Sequence, residues 1–293
     1  MKENHTYHQH YIPQFYLRNF ADKTEKAYVL NRQDNRITHS RIKKIGFQND
    51  IYETKWEGAN PILGKYVLDN QIEQKFGDIE SKAATIIKDI IDRVKTVREI
   101  QLNQHSREVL CEFLALLYLR NPMVFNQLQK DYSDIDKEPG MIPVIQVVAN
   151  LLNDIGMGGV NSLLAHSVKT GIFDKTIPGS PAYEEYAHIE SMNWLFWLSK
   201  EGGFCTCDYP LIIDYDDDLI WQRVVFPLSA KVACVLFEKN FPLICKNRVI
   251  EVRPDFVSSI NERYTGLSPK LARFIISGNE AVLLRLQTAG KGT

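Results

Sequence analysis

The chain has 293 residues, 44% of them hydrophobic and 24% charged, enough to bury a sizeable core without a disulfide or metal staple. A formal net charge of −1 gives no general attraction to a nucleic-acid backbone, and no stretch reaches the ~20 apolar residues of a membrane span. The five cysteines are odd in number and lie in apolar runs, and the opening MKENHTYHQH lacks an apolar signal core, so buried free thiols and a cytoplasmic setting without membrane are expected.

In chain order, AYVLNR (27–32) and RITHSRI (36–42) alternate around a polar turn and predict a hairpin, with NDIYE (49–53) as a third strand. KWEGANPILG (55–64) reads as a loop. Apolar residues at 72, 76, 79, 83, 86, 90 and 94 predict a helix over 69–95. A second helix, capped by Asn103, runs to Arg120 and is apolar almost all round from Val109 to Leu119, which predicts the buried central helix; Pro122 marks a kink or an end. Further helices are expected at 141–154, 159–170 and 182–199, the last carrying Trp194, Phe196 and Trp197. GFCTC, PLIIDY, WQRVVFPLS and KVACVLFEK predict three or four strands of one sheet. Pro254 and Ser268-Pro269 have the form of helix starts, and EAVLLRLQ (280–287) that of a closing strand. The expected architecture is one α+β domain: an N-terminal arm and small β unit (1–66), a helical middle (67–200), and a C-terminal antiparallel or mixed sheet flanked by helices (201–288).

Charge is uneven along this frame. Residues 1–50 hold nine Lys or Arg against five acids, and residues 201–220 hold six acids with no Lys or Arg. A solvated surface explains this, and so does a basic face meeting an acidic loop.

The most distinctive stretch is HYIPQFYLRNF, with His10, Tyr11, Ile12, Pro13, Phe15, Leu17, Arg18 and Phe20. This pattern resembles the signature of a bacterial family described only as domain of unknown function 4238. NDIYE, Ile72-Glu73, Ile79-Glu80, LRNP (119–122), TCDYP (206–210), FPLS (226–229), Asn261 and Ala272-Arg273 extend the resemblance over residues 5–277. Cys207 and Tyr209 depart from the Ser-Asp-Asn-Pro more usual in that family. The resemblance implies a bacterial stress, defence or toxin-type role, and it adds Asn261 and Arg273 to the candidate binding residues.

Glu73 and Glu80, seven residues apart, project within ~20° of each other on a helix. Neither has a Lys or Arg at helical spacing to form the usual surface pair. They are solvent-margin carboxylates, halves of a buried ion pair, or a functional site. Arg120 shares a face with Phe113, Leu116 and Leu117, the wrong side for a solvated guanidinium; it caps its own helix or pairs with Glu80 or Asp208. His10 anchors the segment, moves protons or ligates a metal; His5 and His8 fall outside the pattern and read as incidental. Asp208 stands where the GFCTC strand meets Pro210. CTC lacks a second cysteine pair at zinc spacing, DYDDD (214–218) lacks the turn glycine of a calcium loop, and GMGG (156–159) lacks a following Lys-Ser/Thr.

Two functions are expected from this set. In the first, Glu80 and Asp208 hold Mg²⁺ or Mn²⁺, His10 moves protons, and Arg18 and Arg120 neutralise the phosphate of a nucleic acid or another phosphate ester. In the second, the same groups form a structural ion-pair network or a small-anion site in a non-enzymatic binding module.

Overall fold

The computed structural model describes residues 5–56, 64–135, 159–217, 220–239 and 246–289. The chain opens with strand β1 (His8–His10) and a short helix α1 (Gln14–Arg18), then the predicted hairpin β2 (Lys26–Asn31) and β3 (Arg36–Arg41). After a single 3₁₀ turn (Ile42–Lys44), strand β4 (Phe47–Asn49) pairs antiparallel with β1, His10 opposite Phe47. The third strand thus falls earlier than NDIYE and joins the opening segment, not the hairpin.

Helices α2 (Gln71–Arg93) and α3 (Gln104–Leu119) match their periodicity, and Asn103 Oδ1 accepts the Ser106 amide as the expected cap. Pro122 begins a helix, α4 (Pro122–Ile135), because proline suits the first helical position and Asn121 Oδ1 accepts the Met123 amide ahead of it. The predicted helix at 141–154 lies outside the described residues. Helices α5 (Val160–Ile172) and α6 (Pro181–Ser191) follow.

Here the chain departs from expectation. The predicted helix over 182–199 stops at Ser191, and NWLFWL becomes strand β5 (Asn193–Leu198), with Trp194, Leu195, Phe196 and Trp197 all buried. A continuous apolar run has no periodicity to separate strand from helix, and large aromatics favour the pleated surface. Strands β6 (Thr206–Cys207), β7 (Ile212–Tyr215), β8 (Trp221–Pro227), β9 (Val232–Phe237) and β10 (Val249–Glu251) follow, then α7 (Pro254–Gly266), β11 (Phe274–Ser277) and α8 (Glu280–Ala289). Ser268-Pro269 forms a turn whose Ser268 carbonyl accepts from Leu271 and Ala272, leaving no length for a helix before β11. EAVLLRLQ is helical: Leu283 and Leu286 are buried while Leu284 and Arg285 are exposed, a helical rather than an alternating pattern.

The strands divide into two larger sheets, not one. The first has the order β10-β5-β9-β8-β7, antiparallel except for β10 beside β5. The second, β3-β2-β11-β6, places the N-terminal hairpin against two C-terminal strands, all antiparallel. The α+β class holds.

The opening segment is part of the core. Tyr11, Ile12, Tyr16, Leu17 and Phe20 are each at most 2% exposed, and each such burial contributes ~1.5–3 kcal/mol. Tyr16 stacks on Phe226 at 5.1 Å between centroids, and its hydroxyl donates to the Pro227 carbonyl at 2.8 Å with Thr206 Oγ1 at 2.7 Å. The Gly46 carbonyl accepts from both Tyr11 and Ile12 amides. Gly46 itself has φ +69°, and a Cβ there would lie 2.6 Å from Ile12 Cδ1, so this crossing requires glycine.

Candidate functional site

The opening segment crosses the molecule between two arginine–carboxylate pairs. Arg120, at the end of α3, is 2% exposed. Its Nη1 donates to Glu80 Oε1 at 2.6 Å, its Nη2 donates to the His10 carbonyl at 2.5 Å, and its guanidinium lies 4.1 Å from the Phe76 ring centre. On the other side of the strand, Arg273 Nη2 donates to the Tyr11 hydroxyl at 2.5 Å, and its Nε donates to Asp208 Oδ2 at 3.3 Å. Asp208 is 1% exposed and also accepts the Phe274 amide at 3.0 Å and the Tyr11 hydroxyl at 3.5 Å. Burial lifts the Asp208 carboxyl above its ordinary value, offset in part by that amide and by Arg273. Consecutive residues His10 and Tyr11 are therefore each bound to a different ion pair.

LRNP makes sense in this setting. Arg120 reaches forward to His10 and Glu80. Asn121, 2% exposed, donates from Nδ2 to the carbonyls of Asp208 and Leu271, both at 3.0 Å. Asn121 thus ties the α3–α4 junction to the Asp208 loop, a role the resemblance marked without explaining.

Beside the Arg120–Glu80 pair opens a cleft of about 460 Å³ between α1 and the first half of α2. His10, Gln14 and Arg18 line one wall; Glu73, Glu80 and Ser81 line the other. The two glutamates share this face as their spacing predicts. They differ in chemistry. Glu80 is held by Arg120. Glu73 has Oε2 buried without a hydrogen-bond partner among the described residues, and burial pushes its carboxyl up to about 7, with Arg120 pulling down and Glu80 adding repulsion.

The His10 ring hydrogen-bonds through Nε2 to the Lys43 carbonyl at 3.3 Å, and Gln14 Nε2 lies 3.4–3.5 Å from its two nitrogens. Burial lowers its pKa, so the ring is neutral at pH 7, donating from Nε2 and keeping an acceptor at Nδ1. Arg18 is half-exposed at the mouth, bonded to Glu25 at 3.0 Å. A larger groove of about 810 Å³ between α4 and α5 gathers none of the residues singled out from the sequence.

The sequence-derived set is thus brought together in part. His10, Arg18 and Glu80 share the cleft, with Arg120 beneath it. Asp208 and Arg273 form the second pair, reached through Tyr11. Glu80 and Asp208, expected to share a metal, close instead on separate arginines. Asn261, 3% exposed, spends its amide on the backbone, donating to the Gly203 carbonyl at 2.7 Å and accepting the Cys205 amide at 3.1 Å.

Cys111, Cys205, Cys207 and Cys234 are free and buried, as expected, and burial raises each thiol; Cys245 lies outside the described residues. Asp214 of DYDDD pairs with Arg223 and Arg263, and Asp216 accepts the Ile220 amide within the β7–β8 turn.

His5, incidental by sequence pattern, is built into the fold. Its Nε2 lies 2.8 Å from Asp50 Oδ1 and its Nδ1 2.6 Å from Asp69 Oδ1, with the ring stacked 4.5 Å from that of Tyr66. The available signal was acids of NDIYE and Asp69-Asn70 preceding a helix, which pattern alone does not connect to residue 5.

No helix among the described residues is long and apolar enough to cross a membrane. Residues 8–280 match the family model described as "Protein of unknown function (DUF4238)". No curated protein and no solved structure matches the chain.

Proposed function

The chain belongs to the DUF4238 family, and for this member we propose a binding role in which the cleft between α1 and α2 takes a small ligand with an anionic group. Arg18 meets the anion, since a guanidinium fork matches carboxylate or phosphate. The Glu73 carboxyl and neutral His10 ring meet the ligand's uncharged part. One observation carries this reading. The groups a metal-dependent phosphodiesterase needs free (Arg120, Glu80, Asp208 and Arg273) are engaged in buried or half-buried pairs and with the opening segment, whereas the cleft beside Glu80 offers His10, Glu73 and an Arg18 whose one ion pair, with Glu25, is solvent-exposed. A cytoplasmic setting belongs to the same reading.

A second reading rests on a specific feature. Glu73 pushed up to about 7 and His10 lowered stand in one cleft as proton donor and acceptor. That pair suits hydrolysis of a phosphate ester, nucleic acid included, in a bacterial stress, defence or toxin context, with Mg²⁺ or Mn²⁺ as the expected metal.

Calorimetric titration with inorganic phosphate and mononucleotides, beside incubation with DNA and RNA with and without Mg²⁺ or Mn²⁺, separates the two. Saturable binding weakened at least tenfold by Arg18→Ala, with no cleavage, is the expected result. Cleavage abolished by His10→Ala shifts the assignment to the enzyme, and silence in every arm overturns both.

A further inference from the structure

We infer that His5, Glu53 and Asp69 form a binding site for a divalent first-row transition ion, which clips the start of the chain to the start of α2. The three offer one imidazole nitrogen and two carboxylate oxygens, all within 4.8 Å of one another. They come from three separate places in the sequence and none of them lines the cleft between α1 and α2, so the inference does not rest on the cleft's ligand.

The geometry is more than a gathering of acids. Asp50 Oδ1 accepts from His5 Nε2 at 2.8 Å, while Asp50 Oδ2 accepts the Tyr66 hydroxyl at 2.7 Å. A carboxylate bound to the far nitrogen is the usual means of orienting a metal-ligating histidine and raising its basicity. It directs Nδ1 to Asp69, and the stack on Tyr66 holds the ring plane.

Glu53 is 7% exposed, and one of its oxygens accepts from Gln9 Nε2 at 2.5 Å and the Asn70 amide at 3.3 Å. Its second oxygen has no hydrogen-bond partner among the described residues. Held at one oxygen by Gln9 and the Asn70 amide, the carboxylate keeps its second oxygen to offer to a cation.

Charge points the same way. Asp50, Glu53 and Asp69 converge on a single imidazole. Two ammonium groups stand nearby, Lys65 over the Tyr66 ring and Lys169 donating to the Glu53 backbone carbonyl, and neither bonds a carboxylate oxygen of the three acids among the described residues.

Ligand type selects the ion. An imidazole with two carboxylates suits Zn²⁺, Fe²⁺, Co²⁺ or Mn²⁺ better than Mg²⁺, which prefers oxygen and keeps its waters. Bonds of roughly 2.0–2.2 Å place tetrahedral ligands about 3.4 Å apart, so the widest spacing in the set, up to 4.8 Å, closes while the 2.6 Å contact of His5 Nδ1 with Asp69 Oδ1 opens to admit the ion, and water completes the coordination.

The test uses the full chain at pH 7.5. Calorimetry with Zn²⁺ is expected to give one equivalent bound, with an affinity unaffected by millimolar Mg²⁺. Co²⁺ is expected to produce visible absorption of a low-coordinate site. Glu53→Gln and Asp69→Asn, which keep shape, each weaken Zn²⁺ at least tenfold, as does His5→Ala; Asp50→Asn weakens it about tenfold through the orientation of His5. His8→Ala and His39→Ala leave it unchanged. Absence of stoichiometric binding, or equal affinity in wild type and Glu53→Gln, overturns the site and leaves His5 as a protonated bridge between two aspartates.

Discussion

Glu73 shows how one side chain's environment sets its chemistry. It lies on the same helix and the same cleft as Glu80, yet Arg120 bonds only Glu80, and burial leaves Glu73 favouring its proton. With a folded pKa of about 7 against 4.5 as its ordinary value, the native state holds a proton that the unfolded chain has released between those two values. Stability therefore falls as pH rises through that window, and the penalty is complete above about 7. Glu73→Gln removes this titration. The variant is expected to gain stability over wild type at pH 8, by about 1–3 kcal/mol, and to match it more closely at pH 5, as read by urea denaturation at both pH values. Equal stability profiles of the two proteins would show that water reaches Glu73 freely. At this scale the sequence was partly legible: absence of a helical Lys or Arg partner marked both glutamates, but only the fold decides which one the arginine reaches.

Helix α3 ends where its last side chain becomes the centre of a junction. Arg120 joins α2 through Glu80 and β1 through the His10 carbonyl, and Asn121 joins the Asp208 loop. Removing one partner of a buried pair leaves the other uncompensated, which costs about 3–5 kcal/mol. Arg120→Ala is therefore expected to lose at least 3 kcal/mol in urea denaturation, and Arg120→Met with Glu80→Gln to recover part of it. Arg18→Ala, which breaks only an exposed pair with Glu25, is expected to stay within about 1 kcal/mol of wild type. That contrast lets Arg18→Ala report on binding without confusion from folding. Element identity was legible where periodicity was long, as in α2 and α3, and failed where runs were short. NWLFWL, expected as helix, is a strand and EAVLLRLQ, expected as a strand, is a helix, because six to eight apolar-rich residues fit either period and their neighbours in space decided.

Across the whole molecule, the segment from Gln9 to Phe20 acts as core. Five of its large apolar side chains, Tyr11, Ile12, Tyr16, Leu17 and Phe20, are buried, and at ~1.5–3 kcal/mol each they supply about 7–15 kcal/mol, comparable to the ~5–15 kcal/mol net stability of an ordinary domain. A chain lacking residues 1–22 is expected to show no cooperative thermal transition and no near-ultraviolet circular dichroism; a cooperative melt near that of the wild type would show that the segment is an appendage. The aromatic spacing of HYIPQFYLRNF already demanded burial, and the sequence by itself determined the α+β class, the two long helices, the hairpin and the inward fold of the opening segment. All of these depend on local period or on the cost of leaving apolar surface in water. Tertiary structure alone decided that the hairpin shares a sheet with β11 and β6, that Glu80 and Asp208 close on different arginines, and that His5 meets Asp50, Glu53 and Asp69. Each of those pairings joins residues far apart in the chain, and a side chain's charge and hydrogen-bonding capacity fix what it needs without fixing which distant group supplies it.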